Sequence, residues 1–207
     1  MKTKRAKMVH SLISNYSLAP QLKIYHSKEA SSEELAAFHH PLYVKYLETW
    51  VSPKPHSIVE PYPSNEEQER AKAREDVKLG SIFKVNQTFD CPGFEGLFDF
   101  CRLAAGGSID AADLIIAGEG DIVINWSGGF HHGKKTEASG FCYVNDIVLC
   151  ILELLKVYPR VLYLDIDVHH GDGVEEAFYN TNRVMTVSFH EFDEDFFPGT
   201  GPLDSIG

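Results

Sequence analysis

The apolar run Val161-Leu162-Tyr163-Leu164 stops abruptly on Asp165-Ile166-Asp167-Val168-His169-His170-Gly171-Asp172-Gly173, and no other stretch restricts the fold as strongly. A β-run ending on carboxylates and a histidine at alternate positions is suited to holding a metal. Side chains at i and i+2 share one face of a strand, so Asp165, Asp167 and His169 are expected to point together into a crevice at its carboxyl end. Aspartate oxygen with histidine nitrogen suits Zn2+ or another borderline divalent ion, and a catalytic zinc takes three protein ligands with one position open. A D-x-D or H-H fragment alone is more often a cap or a solvated cluster, so the surroundings decide.

A second run, Asp121-Ile122-Val123-Ile124-Asn125-Trp126, also reads as a buried strand. It ends on Ser127-Gly128-Gly129-Phe130-His131-His132-Gly133-Lys134-Lys135. Two adjacent strands that each release histidines and acids at one end predict a single crevice. The second half alternates throughout: strand 121–126, helix 142–157, strand 161–167, short helix 173–180, strand 183–190. Such repetition predicts right-handed crossovers and a parallel sheet covered on both faces, an α/β fold.

The first half reads as helices. Met8, Val9, Leu12, Ile13 and Tyr16 recur at helical spacing over 6–18, and Leu22 to His26 reads as a short strand. Ser31-Ser32-Glu33-Glu34 is a capping box opening a helix through Phe38, interrupted at His39-His40-Pro41. That histidine pair has no acid or strand end beside it and reads as structural. A helix follows over 42–50, and another over 94–117, weakened or bent at Gly106-Gly107. Between them, the prolines at 53, 55, 61 and 63 and a charged stretch mark residues 52–87 as a surface excursion, not a domain boundary.

A chain of 207 residues can bury a core as one domain or most of one. No apolar run approaches the ~20 residues of a membrane span, and no apolar segment follows the basic start to make a signal peptide. Cys91, Cys101, Cys142 and Cys150 lack C-x-x-C spacing and read as reduced core thiols, which argues for a cytosolic or nuclear protein. A net charge of −11 disfavours general nucleic-acid binding and is compatible with a basic partner such as a lysine-rich peptide.

If Asp167 and His169 hold a zinc ion, His131 or His132 can take a proton from metal-bound water. Asp165 and Asp172 are both candidates to fix the histidine tautomer. A serine or cysteine nucleophile at Ser139 or Cys142 lacks a G-x-S-x-G elbow. The runs 128–135, Glu137-Ala138-Ser139-Gly140-Phe141-Cys142-Tyr143-Val144-Asn145-Asp146, 165–173 and Phe197-Pro198-Gly199-Thr200-Gly201 resemble the class I zinc-dependent histone deacetylases. The match is dense over 90–207, looser over 5–50 and poor over 52–87.

The resemblance implies an arginase/deacetylase fold, a three-layer parallel sheet flanked by helices, incomplete here. It implies hydrolysis of the acetyl-lysine amide by zinc-activated water, in transcriptional repression in the nucleus and also the cytoplasm. Asp167 and His169 match zinc ligands. His132 matches the general base, oriented by Asp172, and His131 matches its companion, paired with Asp165. Gly140, Phe141 and Phe197 match the tunnel for the acyl-lysine stem, although Phe141 and Phe197 alone would read as core. Asp90 matches a rim carboxylate that grips substrate amides, and Arg5 an arginine beside an acetate-release cavity. Asp165, Ser188 and Phe189, with carbonyls of Asp167 and His169, match a structural K+ site. Phe178, Thr181 and Val184 match part of a second.

Implied partners are acetyl-lysine proteins such as histone tails and subunits of corepressor complexes, with no direct nucleic-acid binding and no membrane. The family's third zinc ligand, an aspartate on a later strand, and its oxyanion tyrosine have no counterpart in 1–207. This chain is therefore expected to be an inactive fragment or isoform. Two other readings are an interaction protein without catalysis and a deacetylase of small amides such as acetylpolyamines.

Overall fold

The computed structural model describes residues 4–50, 75, 78–86 and 90–206, with side chains from Ala6 onward. The side chain of Arg5 and most of the 52–87 excursion lie outside the described residues. Helix α1, Lys4–Asn15, is followed by a 3-10 turn, Ala19–Gln21. The expected strand over 22–26 is not formed: among the described residues no ladder includes this segment. Helix α2, Ser32–Leu35, opens on the expected capping box: Ser31 Oγ accepts from Glu34 N at 3.1 Å, and Glu34 Oε2 accepts from Ser31 N at 2.7 Å. Helix α3, Pro41–Thr49, starts with proline in its first turn and is capped by His40 Nδ1, which accepts from Leu42 N.

Helix α4, Leu97–Ile116, runs unbroken through Gly106 and Gly107. The glycines answer to packing and not to a bend. A Cβ at Gly106 would collide with the carbonyl of Lys28, because the 28–30 segment is bonded along the helix. There Ala30 N donates to Arg102 O at 3.0 Å, Arg102 Nε donates to Ala30 O at 2.8 Å, and Lys28 N donates to Asp110 Oδ2 at 2.8 Å. Helix α5, Asp146–Leu154, packs against α4 through the principal contact between elements. Leu35, Tyr43, Leu47, Leu97, Cys101 and Leu149 belong to one buried cluster that joins α2 to α5.

Strand β1, Val161–Asp165, helix α6, Asp172–Phe178, and strand β2, Val184–Ser188, complete the order. The strands pair in parallel, from Val161 opposite Val184 to Asp165 opposite Ser188. Val161, Tyr163 and Val184 pack on Val148 and Ile151 of α5 and on Val174 and Phe178 of α6. Leu162, Leu164 and Met185, on the other face, are exposed. The described residues thus form a small parallel sheet with helices on one face, in place of a sheet covered on both. Residues 121–126 are not a strand: Ile122 and Ile124 lie at the surface, and among the described residues no ladder is formed with this segment. All four cysteines are free thiols. Burial pushes Cys91 up to about 11 and Cys142 and Cys150 to about 12.

Replacing Gly106 with Ala should destabilise the fold by about 1–3 kcal/mol, the usual cost of an added methyl that must displace packed neighbours. Urea unfolding checks this. An unchanged midpoint would show that the 28–30 segment yields freely.

Candidate active site

The two histidines sit on a loop whose shape is fixed from behind by the start of α5. Asp146 is fully buried, and its carboxylate accepts from Gly129 N at 3.1 Å, Phe130 N at 2.8 Å and Ser108 Oγ at 2.5 Å. Burial raises its pKa against the pull of those donors. Asn145 is the α5 N-cap, accepting from Val148 N at 3.0 Å. Its amide nitrogen donates to the carbonyls of His131 and Gly133, at 3.3 and 3.0 Å. One helix end therefore grips both ends of the histidine loop. From α6, Gly173 closes in so tightly that a Cβ there would lie 2.5 Å from His131 O.

Each histidine is paired with a buried carboxylate. His131 Nδ1 donates to Asp165 Oδ2 at 2.6 Å, and His132 Nδ1 donates to Asp172 Oδ1 at 2.7 Å. The residue spacing left the partners open, and the geometry assigns one acid to each ring. The rings stack obliquely, 3.9 Å between centroids. Burial lowers the His132 pKa, with Asp172 opposing it in part. Burial works against ionisation of Asp165, but hydrogen bonds from His131 and Tyr163 hold it down at about 2. Asp172 is likewise lowered in spite of its burial, by His132 and Lys134.

Asp167 and His169 lie beyond β1, so they do not share a strand face with Asp165 as expected. The strand ends at Asp165, and the chain turns on its own side chains: Asp165 Oδ1 accepts from Asp167 N, and Asp167 Oδ1 accepts from His169 N, both at 2.9 Å. The turns bring Asp167 Oδ1 and His169 Nδ1 to 3.1 Å, half exposed, with the His132 ring centroid 6.0 Å from that of His169. In kind these two donors fit zinc. In number they fall short of three, and the described residues contain no group of three or more histidines, cysteines and acids able to hold a metal.

Aromatic rings close round this corner. Phe197 meets His132 edge-on at 4.8 Å and His169 at 5.9 Å. Phe141 is partly exposed with φ 65°, beside Gly140 at φ 50°. A Cβ on Gly140 would meet His132 and Phe197 at 2.6 and 2.8 Å, so only glycine lets this turn approach. Asp90 Oδ2 accepts from Gly140 N at 3.3 Å, placing the rim candidate against the same turn. The residues matched to the K+ sites make the following contacts. Asp165 O accepts from Phe189 N, Ser188 Oγ contacts His190 Nδ1, and Thr181 Oγ1 accepts from Arg183 N, while Phe178 and Val184 are core residues.

Sequence reading passed over several residues that shape the site. Phe196 stacks on His169, 5.2 Å apart and nearly parallel. Tyr163 donates its hydroxyl to Asp165 Oδ2, the oxygen that His131 also uses. Asn145 and Asp146 were within reach of sequence: an Asn before an apolar helical run, with an acid in the first turn, is a helix-start signature. Beneath the loop, buried His39 donates from Nδ1 to Lys134 O at 3.0 Å and accepts at Nε2 from Asn145 N at 3.0 Å, a structural part as expected.

Against known proteins, the family described as histone deacetylase domain matches residues 1–207. Histone deacetylase 6 of Arabidopsis thaliana is 54% identical over 207 residues, all of this chain and 40% of that protein. Histone deacetylase 1 of Homo sapiens is 50% identical over the same residues and 39% of its own length. The chain thus spans about 40% of the length of these curated relatives.

Burial pushes the His39 pKa down to about 4 from its ordinary 6.5. The unfolded chain then takes up a proton that the folded chain refuses, so stability should fall as pH drops from 6.5 towards 4, by up to about 1.4 kcal/mol per unit. Urea unfolding at stepped pH tests this. His39→Gln should flatten that part of the curve, and an equally steep curve would assign the acid sensitivity to other groups.

Proposed function

This chain belongs to the histone deacetylase family, and from that premise we propose that it supplies the proton-transferring part of an N6-acetyl-lysine hydrolase and two of its zinc ligands. The observation that carries the reading is the convergence of two His–Asp dyads beside Asp167 and His169. The family is generally zinc-dependent. Asp167 and His169 would hold the ion, which when bound polarises an amide carbonyl and acidifies water.

The rest concerns the chain's own groups. With Nδ1–H committed to Asp172, the His132 ring keeps Nε2 as its basic atom. A ring held neutral by burial is ready to accept a proton at neutral pH. His131 is committed in the same way to Asp165, so the companion ring presents its Nε2 beside the first. Phe141 and Phe197 offer apolar walls that suit the neutral stem of an acylated lysine, whereas a charged lysine would lose its hydration there. Asp90 has one oxygen on Gly140 N, which leaves the other to receive substrate amides. An acidic chain of net charge −11 attracts lysine-rich protein tails, so histone tails are the favoured substrates. Nuclear action in corepressor complexes, with some in the cytoplasm, follows from the same family reading, as does K+ at the two candidate sites.

In a deacetylase containing this chain, His132→Ala should cut turnover on an acetyl-lysine peptide by at least about 100-fold, the usual scale for a lost general base. Asp167→Ala should cut it comparably by removing a ligand of the ion. Either variant keeping most of its rate would reject the role given to that residue. Asp90→Ala should weaken long peptides far more than a small acetyl-lysine mimic. A preference for acetylated polyamines over peptides would move the substrate class to small amides.

Residues 1–207 alone should show no chelator-sensitive deacetylation, because two protein donors hold zinc less firmly than three and leave extra waters on the ion. Zinc content, circular dichroism and a peptide assay on the purified chain test this. Stoichiometric zinc with turnover would reveal a substitute ligand. A folded, inactive chain that bound a defined corepressor subunit would favour an interaction role.

A further inference from the structure

The loop that carries the two histidines continues into two lysines with different fates. Lys135 is exposed, whereas Lys134 folds back, its side chain only 17% exposed. Its ammonium lies 2.8 Å from Asp172 Oδ2 and 2.8 Å from Glu176 Oε2. Asp172 Oδ1 is the oxygen that receives His132 Nδ1–H, so one carboxylate is held at both ends by residues 132 and 134 of a single loop. The backbone of Lys134 is fixed as well: its N–H donates to Glu137 O at 3.1 Å, and its carbonyl accepts from buried His39. Gly133, between the two contacts, lies so close to the segment leading into α5 that a Cβ would be 2.8 Å from the Val144 carbonyl carbon.

We propose that Lys134 is a positioning residue for His132, acting by pinning the second oxygen of Asp172 so that its carboxylate, and through it the imidazole, keeps one orientation. A carboxylate held by a single donor can swing about its Cβ–Cγ bond and carry the ring with it. One held by a neutral donor on one oxygen and a cation on the other cannot. Charge-assisted bonds of this kind are short and directional, and the half-buried setting protects them from screening. A surface pair with Glu176 alone would not draw the ammonium inward. The bond to Asp172 does. This inference rests on reading His132 as the base, but its own observable is the ring.

The test compares wild type, Lys134→Met and Lys134→Arg, with 15N-labelled histidine, following the hydrogen-bonded Nδ1–H of His132 by NMR. Lys134→Met should speed solvent exchange of that proton by about tenfold or more, on the scale at which outer partners tune a site, while the His131 proton is unchanged. Lys134→Arg should restore slow exchange. In an active deacetylase containing this chain, kcat should fall about tenfold in Lys134→Met with KM within about twofold, as expected for a misplaced base and not for lost substrate binding. An unchanged His132 proton in Lys134→Met would overturn the inference. So would equal disturbance of both histidines, or of Lys134→Arg as much as Lys134→Met, because those outcomes describe a general packing role. Full activity in His132→Ala would sink the base assignment instead, leaving the NMR result to stand or fall separately.

Discussion

Everything at the candidate site depends on how the N-terminus of α5 meets the loop over residues 128–133. Asp146 accepts two loop amides and Asn145 donates to two loop carbonyls, so four polar groups of the backbone carrying His131 and His132 find partners on one helix end. A buried carboxylate with no cation beside it is costly, and Ser108 together with the amides offsets that cost through directed bonds. The same bonds orient the loop. From that fixed loop, each imidazole reaches a carboxylate on β1 or at the start of α6, and this links α5, the sheet and α6 through one polar network.

Much of this was legible in sequence because the chemistry lies in short contiguous runs. The apolar stretch before Asp165 announced a strand, the 183–190 run announced its parallel partner, and Ser31 with Glu34 announced a helix start. Failures came where an element depends on its neighbours. Residues 121–126 have the composition of a strand, yet a strand exists only through a ladder, and none is formed with them among the described residues. Gly106 and Gly107 suggested a bend, because sequence cannot distinguish a glycine needed for flexibility from one needed for the approach of another backbone. Asp167 and His169 were expected on a strand face because their spacing is that of a strand. Asx turns use the same spacing and bring the donors together by other means.

The histidine–acid pairs show a related limit. Spacing presented two histidines and two acids with no rule for matching them, and only the family resemblance paired His132 with Asp172 and His131 with Asp165. The match is set in three dimensions, by β1 passing under one ring and α6 under the other. Lys134 and Phe196 stayed invisible for the same reason: a lysine after a histidine pair and a phenylalanine in an acidic loop are ordinary surface residues until the fold turns them inward.

The buried thiols have a practical consequence for spectroscopy. With pKa values pushed to about 11 and 12, Cys91, Cys142 and Cys150 hold almost no thiolate at neutral pH, and Cys101 is fully enclosed. Because the thiolate is the form that alkylating reagents attack, a single cysteine introduced at an exposed position such as Glu194 would outcompete all four native ones. The protein can therefore carry one site-specific probe beside the Phe196–Phe197 corner without removal of its own cysteines, and that probe would report on the mouth of the site alone.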